Sequence, residues 1–397
     1  MALADLTPAD APDSPPAPRT HRIHPAWWVA AVAFLTAIGA AGLRSTPGVL
    51  IEPLHDEFGW PLGLIGTAVS VNLVLFGLTA PFSAALMERL GVRRVVAVAL
   101  VLVSLGSLLP IWMTSSWPLI LSGGVLVGLG TGTMSMSLVA TVTGRWFVKR
   151  RGLVTGVLTA AGATGQLALL PLLAWLAQNH GWRSAAIATA AVSVAVVPVV
   201  LWRFHSHPSD LGVSAYGAPQ GTLIGPRSSP LGNPGLSAIR TLREASRHGV
   251  FWLLVGSFAV CGMSTNGLVG THFIPAAHDH GMPMTTAAGL LALVGVLDIV
   301  GTIFSGWLTD RVDARFLLAV YYTLRGASLF LLPTLFSDSM HVNMLAFVLF
   351  YGLDWVVTVP PTMALCRVAF GEQAPVVFGW VFASHQVGPR SPPPVRG

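Results

Sequence analysis

The chain has 397 residues, of which 53% are hydrophobic and only 10% charged, with a formal net charge of +6. A soluble domain carries about 25% charged residues, so the composition excludes a water-soluble globular fold, and repeated apolar runs of about 20 residues indicate transmembrane helices. The basic pI of about 10.1 does not point to nucleic acid, because the Lys and Arg residues sit in short loops between apolar runs, as they do on the inner side of membrane proteins.

Residues 1–25 are rich in Ala, Pro and Asp and lack an apolar core of signal-peptide length. They read as a disordered cytoplasmic tail. A first bundle of six helices is expected over residues 26–202. Its first span opens at Trp27-Trp28, an interfacial aromatic pair, and runs through Ala40. The apolar residues Val49–Ile51 suggest that the helix continues past Arg44, which would put a guanidinium inside the membrane. Intramembrane charges are functional-site candidates; the other reading ends the helix near Leu43 and makes Arg44 an external anchor. The second span, 62–86, contains Asn72, and the third covers 95–112. The fourth begins at Trp117 and carries Gly123, Gly124, Gly128, Gly130 and Gly132, a face for close helix packing. No Gly-rich loop is followed by Lys-Ser/Thr, so no ATP site of that kind exists. The basic loop from Arg145 to Gly152 is an anchor that also suits anionic lipid. In the fifth span Gln166 is the strongly polar group, as packing glue or as a substrate contact. The sixth covers 182–201.

Residues 203–248 turn to Pro, Gly, Ser and Arg and read as a cytoplasmic linker. His205 and His207 there do not make a metal site, since two His alone do not complete one. Cys261 and Cys366 lie far apart and form no C-x-x-C, so neither a disulfide framework nor a metal motif is expected. A second bundle follows over 249–388. Its seventh span, 251–273, contains Asn266. The eighth, 285–307, contains Asp298, about 18 Å from Asp310 at the helix end and hence near mid-membrane. The ninth, 316–335, holds Tyr321 and Arg325; the tenth, 342–360, holds Asp354 and Trp355. A lone carboxylate at that depth is expensive unless protonated or paired. Arg325 can fully pair with only one of Asp298 and Asp354, which leaves the other as a proton-site candidate. The eleventh span, 376–388, is followed by an irregular tail over 389–397.

Two short charged patches share one register. Ala84–Arg94 reads Ala-Ala-Leu-Met-Glu-Arg-Leu-Gly-Val-Arg-Arg, and Gly306–Arg315 reads Gly-Trp-Leu-Thr-Asp-Arg-Val-Asp-Ala-Arg. Leu86 aligns with Leu308, Glu88 with Asp310, Arg89 with Arg311 and Arg93 with Arg315. Arg145 and Arg367 fall at the same offset, which argues for a duplicated half. The patch resembles the loop between the second and third helices of major facilitator transporters, G-x-L-a-D-R-x-G-R-R, with Ala84 and Glu88 as departures. The resemblance implies an all-α integral membrane protein with two helix bundles as parallel repeats. It also implies that the first, fourth, seventh and tenth helices line a central cavity. About eleven spans are legible, and the duplication leads one to expect a twelfth; truncation or a frameshift is the simpler account of its absence. Within that superfamily, Arg44-Ser45, Glu52-Pro53-Leu54 and Phe58-Gly59-Trp60 resemble the monocarboxylate-transporter and oxalate/formate-antiporter branch, in which a cation at the Arg44 position faces the substrate path. Leu297-Asp298-Ile299-Val300 resembles that branch too, but Thr302 stands where it has Arg.

The expected function is therefore secondary active transport of a small organic anion, monocarboxylate-like and proton-coupled, by alternating access. Substrate contacts are expected from Arg44, Asn72, Gln166, Asn266, Arg325 and Asp354, proton coupling from Asp298 and Asp354, and gating from Glu88, Arg89, Arg93, Asp310 and Arg311. The partners expected are the substrate, a proton and membrane lipid, with no cofactor, metal or nucleic acid. The protein is expected to be a monomer in the plasma or inner membrane with its N-terminus cytoplasmic. The alternatives are a drug or metabolite exporter of the same superfamily, with Asp354, Trp355 and Tyr321 binding the compound, and an inactive truncated fragment. No H-E-x-x-H or G-x-S-x-G motif supports an intramembrane enzyme.

Overall fold

The computed structural model describes residues 23–44, 50–219, 233–337 and 341–386. Among them every regular element is a helix. The first half comprises α1 (Pro25–Arg44), the short amphipathic α2 (Ile51–Phe58), α3 (Leu62–Leu90), α4 (Val92–Trp112), α5 (Trp117–Trp146), α6 (Arg151–His180) and α7 (Trp182–Arg203). After the linker helix α8 (Pro234–Ala245) come α9 (Gly249–Asp279), α10 (Met284–Thr309), α11 (Ala314–Leu335), α12 (Val342–Leu353), α13 (Val359–Phe370) and α14 (Ala374–Gln386). Nine of these are long and apolar enough to cross a membrane. The stretch 45–49, on which the continuation of α1 past Arg44 turns, lies outside the described residues. So do 1–22, the last residues of the eleventh span and the 389–397 tail.

Length and hydropathy set the helices, and small residues set their packing. In lipid no hydrophobic drive pulls one helix onto another, so close backbone approach has to do so. The α5 glycines serve that purpose. A Cβ on Gly128 would lie 3.0 Å from the Asn72 backbone, and one on Gly132 would lie 2.8 Å from the Phe76 carbonyl, both on α3. A Cβ on Gly130 would strike Ala99 and Val103 on α4. The outward faces stay apolar: Phe330 is 85% and Val342 81% exposed, which suits a lipid surround.

The tenth span departs from the expectation of one helix over 342–360. It is broken into α12 and α13 around Asp354–Thr358, and Pro360-Pro361 occupies the first turn of α13. Proline there sacrifices no hydrogen bond, because the first helical N–H groups have no intrahelical partner. The repeat partner α5 is interrupted as well, at Met134-Ser135. The two interruptions fall at the same offset as the charged patches. Discontinuous helices at matching places in two halves are the usual pointer to a transport site.

Between the halves, α6 packs on α10 and α3 on α14. Gly152 and Gly156 on α6 meet Gly306 and Thr302 on α10 so closely that a Cβ on any of the three glycines would collide with the opposing backbone. A Cβ on Gly379 of α14 would lie 2.6 Å from Pro81 of α3. The α6–α10 contact sits at the end that carries the charged patches and the linker, where Thr143 and Thr155 also meet Met363 and Arg367 reaches Gly144, so the halves close on each other there.

Candidate functional site

Beyond the closed end lies a cavity of about 190 Å³ whose wall draws on both halves: Arg44, Phe76 and Gln166 on one side, and Asn266, Asp298, Trp355, Phe382 and His385 on the other. Arg44, the last residue of α1, places its guanidinium carbon over the Phe76 ring at 4.5 Å from the centroid. Its guanidinium makes no hydrogen bond or ion pair among the described residues. An arginine presents five N–H donors in a planar fork that fits a carboxylate, and here that group lines the cavity beside the Phe76 ring. The side-chain amide of Asn266, within the wide turn Met263–Val269 of α9, also lacks a side-chain hydrogen bond among the described residues.

Asp298 is 3% exposed on α10. Its Oδ1 accepts from Thr302 Oγ1 at 2.8 Å and from the Val356 backbone N–H at 3.0 Å. The second bond joins α10 to the free end of the broken tenth span. Asp298 Oδ2 has no hydrogen-bond partner among the described residues. Thr302 stands where the resembled branch has arginine, and in this structure it donates to the carboxylate rather than balancing its charge.

The remaining acid and arginine behave differently. Arg325, 2% exposed on α11, donates from Nε to Asp354 Oδ2 at 2.7 Å, from one terminal nitrogen to Cys261 Sγ at 2.8 Å, and from the other to the carbonyls of Asp354 and Trp355, the latter at 3.0 Å. A broken helix leaves its last carbonyls without partners, and the guanidinium of a neighbouring helix satisfies them. Of the two acids, Arg325 takes Asp354. Neither Arg325 nor Asp354 lines the cavity; they hold its wall. Asn72 lies elsewhere too. It is 2% exposed and donates to the Gly123 carbonyl at 2.8 Å, tying α3 to α5. The expected site residues thus divide into two sets. Arg44, Gln166, Asn266 and Asp298 share one cavity, while Asn72, Arg325 and Asp354 lie behind it.

At the closed end the patch residues also separate. Asp310 accepts from the backbone N–H groups of Gly152 at 2.7 Å and Leu153 at 2.9 Å. It thereby caps α6 of the other half, where the helix dipole favours a negative charge. Arg311 instead lies over the Trp307 ring at 3.9 Å and donates to the Trp307 carbonyl. Glu88 lines a second cavity of about 340 Å³ with Arg145, Arg151 and Arg367. Arg145 donates weakly to Met87, and Arg367 reaches the Gly144 carbonyl across the halves at 3.5 Å. Arg93 is exposed.

Sequence reasoning missed Phe76, Phe258, Phe382 and His385. Aromatic residues on apolar spans carry no periodic mark that separates a cavity wall from a lipid face. Cys261, for which the sequence offered neither a disulfide nor a metal motif, is buried against Arg325. The break at Asp354–Thr358 did have a signal: Pro360-Pro361 belongs at the start of a helix rather than at the end of one.

Two helix bundles meeting at a closed end, with a cavity lined from both halves at the interruptions of two helices, are the architecture of a secondary transporter. The chain belongs to the Major Facilitator Superfamily, whose sequence profile matches residues 29–389. It is 25% identical over 341 residues to the uncharacterized MFS-type transporter YcxA of Bacillus subtilis, covering 85% of this chain and 79% of that protein. It is 29% identical to monocarboxylate transporter 13 of Bos taurus, covering 77% of this chain and 67% of the relative, and 28% identical to monocarboxylate transporter 11 of Mus musculus, covering 89% and 72%. Among solved structures, the proton:xylose symporter XylE superposes with a TM-score of 0.66 at 15% identity, over 91% of this chain and 85% of that one. The E. coli fucose:proton symporter FucP, in a variant form, gives 0.63 at 16%, over 90% and 89%. At such identities the two structures support the fold alone.

Proposed function

We propose that this multi-pass membrane protein carries a small organic anion of the monocarboxylate kind together with a proton, by alternating access between two bundles over residues 26–202 and 249–388 joined by the 203–248 linker. One observation carries the reading. A guanidinium without a hydrogen-bond partner and a carboxylate with an unpartnered oxygen, both among the described residues, line the same cavity from opposite halves. A charge at membrane depth is costly without a partner. Arg44 finds its partner in the substrate carboxylate, and Asp298 finds its own in a proton. With both neutralised, the doubly occupied cavity reorients more cheaply than one that holds the anion or the proton alone, which couples the two cargoes. The relatives named as monocarboxylate transporters support this substrate class. The basic loops support a cytoplasmic linker end in a plasma or inner membrane, with the N-terminus on that side. Asp310 on the α6 terminus and the Glu88–Arg145–Arg367 cavity then act as the cytoplasmic gate.

The test is proton movement in vesicles containing the protein when small carboxylates are added, with Asp298→Asn alongside. Flux with some carboxylates that disappears in the variant is the expected result; correctly inserted protein that moves protons with none of them overturns the reading. Export of an uncharged or cationic amphipathic compound is the second reading, favoured by Trp355 and the phenylalanines on the cavity wall. Arg44→Ala separates the two, since it abolishes anion uptake and spares such export.

A further inference from the structure

The wall that sequence reasoning missed is not a random apolar lining. Starting at Arg44, the rings follow one another across the cavity. The guanidinium lies over Phe76, and Phe76 meets Phe382 edge-on at 5.7 Å. Phe382 stacks on His385 at 6.2 Å with the planes 9° apart, and His385 leans on Phe258 at 5.0 Å. The track begins on α3 in one half and continues along α14 to α9 in the other. Arg44, Phe76, Phe258, Phe382 and His385 all line the cavity. Ring pairs in these offset and edge-on arrangements attract beyond their buried area, and a ligand ring laid along the track would gain the same contacts. A carboxylate of two or three carbons, held by Arg44, would leave most of the track bare.

Resting on the anion reading above, we propose that the preferred substrates are arylalkyl monocarboxylates: one carboxylate, a short linker and an aromatic ring. The carboxylate sits on Arg44 and the ring lies along Phe382, His385 and Phe258. Size agrees with this. A cavity of roughly 150 Å³ admits benzene, and about 190 Å³ leaves room beyond a ring for a linker and a carboxylate. Charge agrees as well. Among the described residues the cavity wall offers one arginine, so a second carboxylate on the substrate would lie at membrane depth without a cation to pair with.

The probe pair is phenylpyruvate and pyruvate, which share the 2-oxo acid and differ by the ring. Labelled uptake into proteoliposomes is measured for each, together with competition by the unlabelled acids on wild-type protein and with the thermal shift each produces in detergent. The expected result is a kcat/KM about tenfold higher for phenylpyruvate, a larger thermal shift with it, and little inhibition by succinate. In Phe382→Leu, and separately in Phe258→Leu, the phenylpyruvate-to-pyruvate ratio should fall about fivefold. Pyruvate carried as well as or better than phenylpyruvate by the wild type would overturn the proposal while leaving the anion reading standing. Folded protein that carries neither acid and shifts with neither would overturn both. The wild-type competition decides the matter even where a variant fails to fold.

Discussion

Arg44 and Arg325 are both arginines at membrane depth, and they could hardly be used more differently. Arg325 spends its guanidinium on Asp354, on Cys261 and on two carbonyls of a broken helix. Arg44 spends its own, among the described residues, on the face of Phe76 alone. A charge whose donors are all engaged inside the protein is a structural part. One whose donors line a cavity is available to a ligand. The carboxylates follow the same rule: Asp354 is paired with Arg325, while Asp298 keeps an oxygen for the cavity.

That contrast can be broken most directly at Arg325. Arg325→Leu should strand Asp354 and the carbonyls of the α12–α13 break, at a cost of about 3–5 kcal/mol. The expected outcome is a large loss of folded, monodisperse protein, measured by thermal unfolding in detergent. Arg44→Ala, which removes a cation–π contact, should leave unfolding within about 2 kcal/mol of wild type, while carboxylate uptake falls at least about a hundredfold in kcat/KM. Equal destabilisation of the two variants would erase the distinction. Asp298→Asn sharpens it on the acid side. Net proton-driven accumulation of the anion should be lost, while exchange of labelled for unlabelled anion across the same membrane continues; loss of both would make Asp298 a structural residue like Asp354.

Gly152→Ala addresses the closed end. The added methyl meets the Gly306 backbone, so the halves must part there. Amide hydrogen exchange at the start of α6 should rise severalfold as that contact is weakened, and an unchanged rate would mean that the contact is not what holds the end shut.

The smallest effect is expected at the opposite end. There Glu57 of α2 pairs with Arg183 at 2.7 Å and accepts from the Trp182 indole at 2.6 Å. The hydrogen bond from Arg183 and then that from Trp182 hold the Glu57 carboxyl below its ordinary value. A lowered carboxyl stabilises the fold above the unfolded-state value of about 4.3, and that stability is lost as pH falls through the folded value. Because the pair is well exposed, Glu57→Gln should cost less than about 1 kcal/mol. The difference from wild type should vanish in thermal melts at acidic pH.

Much of the fold could be read from the chain because lipid leaves few choices. Apolar runs, basic loops and a repeated charged patch fix spans and pairing in a solvent that offers no hydrogen bonds. The charged residues of the candidate cavity were legible because each is a charge out of place, as at Arg44 and Asp298. Which charge was structural could not be read, since that depends on contacts between helices far apart in sequence. Arg325 meets Asp354 across a break that the hydropathy pattern hides, and Asn72 finds Gly123 through a glycine groove. The aromatic track escaped for the same reason. Its rings come from three helices, and only the packing of α14 between the halves lines them up.

Both cysteines of the chain, Cys261 and Cys366, are free and buried, at 1% and 0% exposure. The molecule therefore comes close to a ready-made background for site-directed labelling. A single thiol introduced at the cavity mouth would carry a spin or fluorescent probe with little competing signal, and Cys261 need not be replaced, which would disturb the guanidinium it contacts. The movements of the two halves can thus be followed in a protein whose inner wall is still its own.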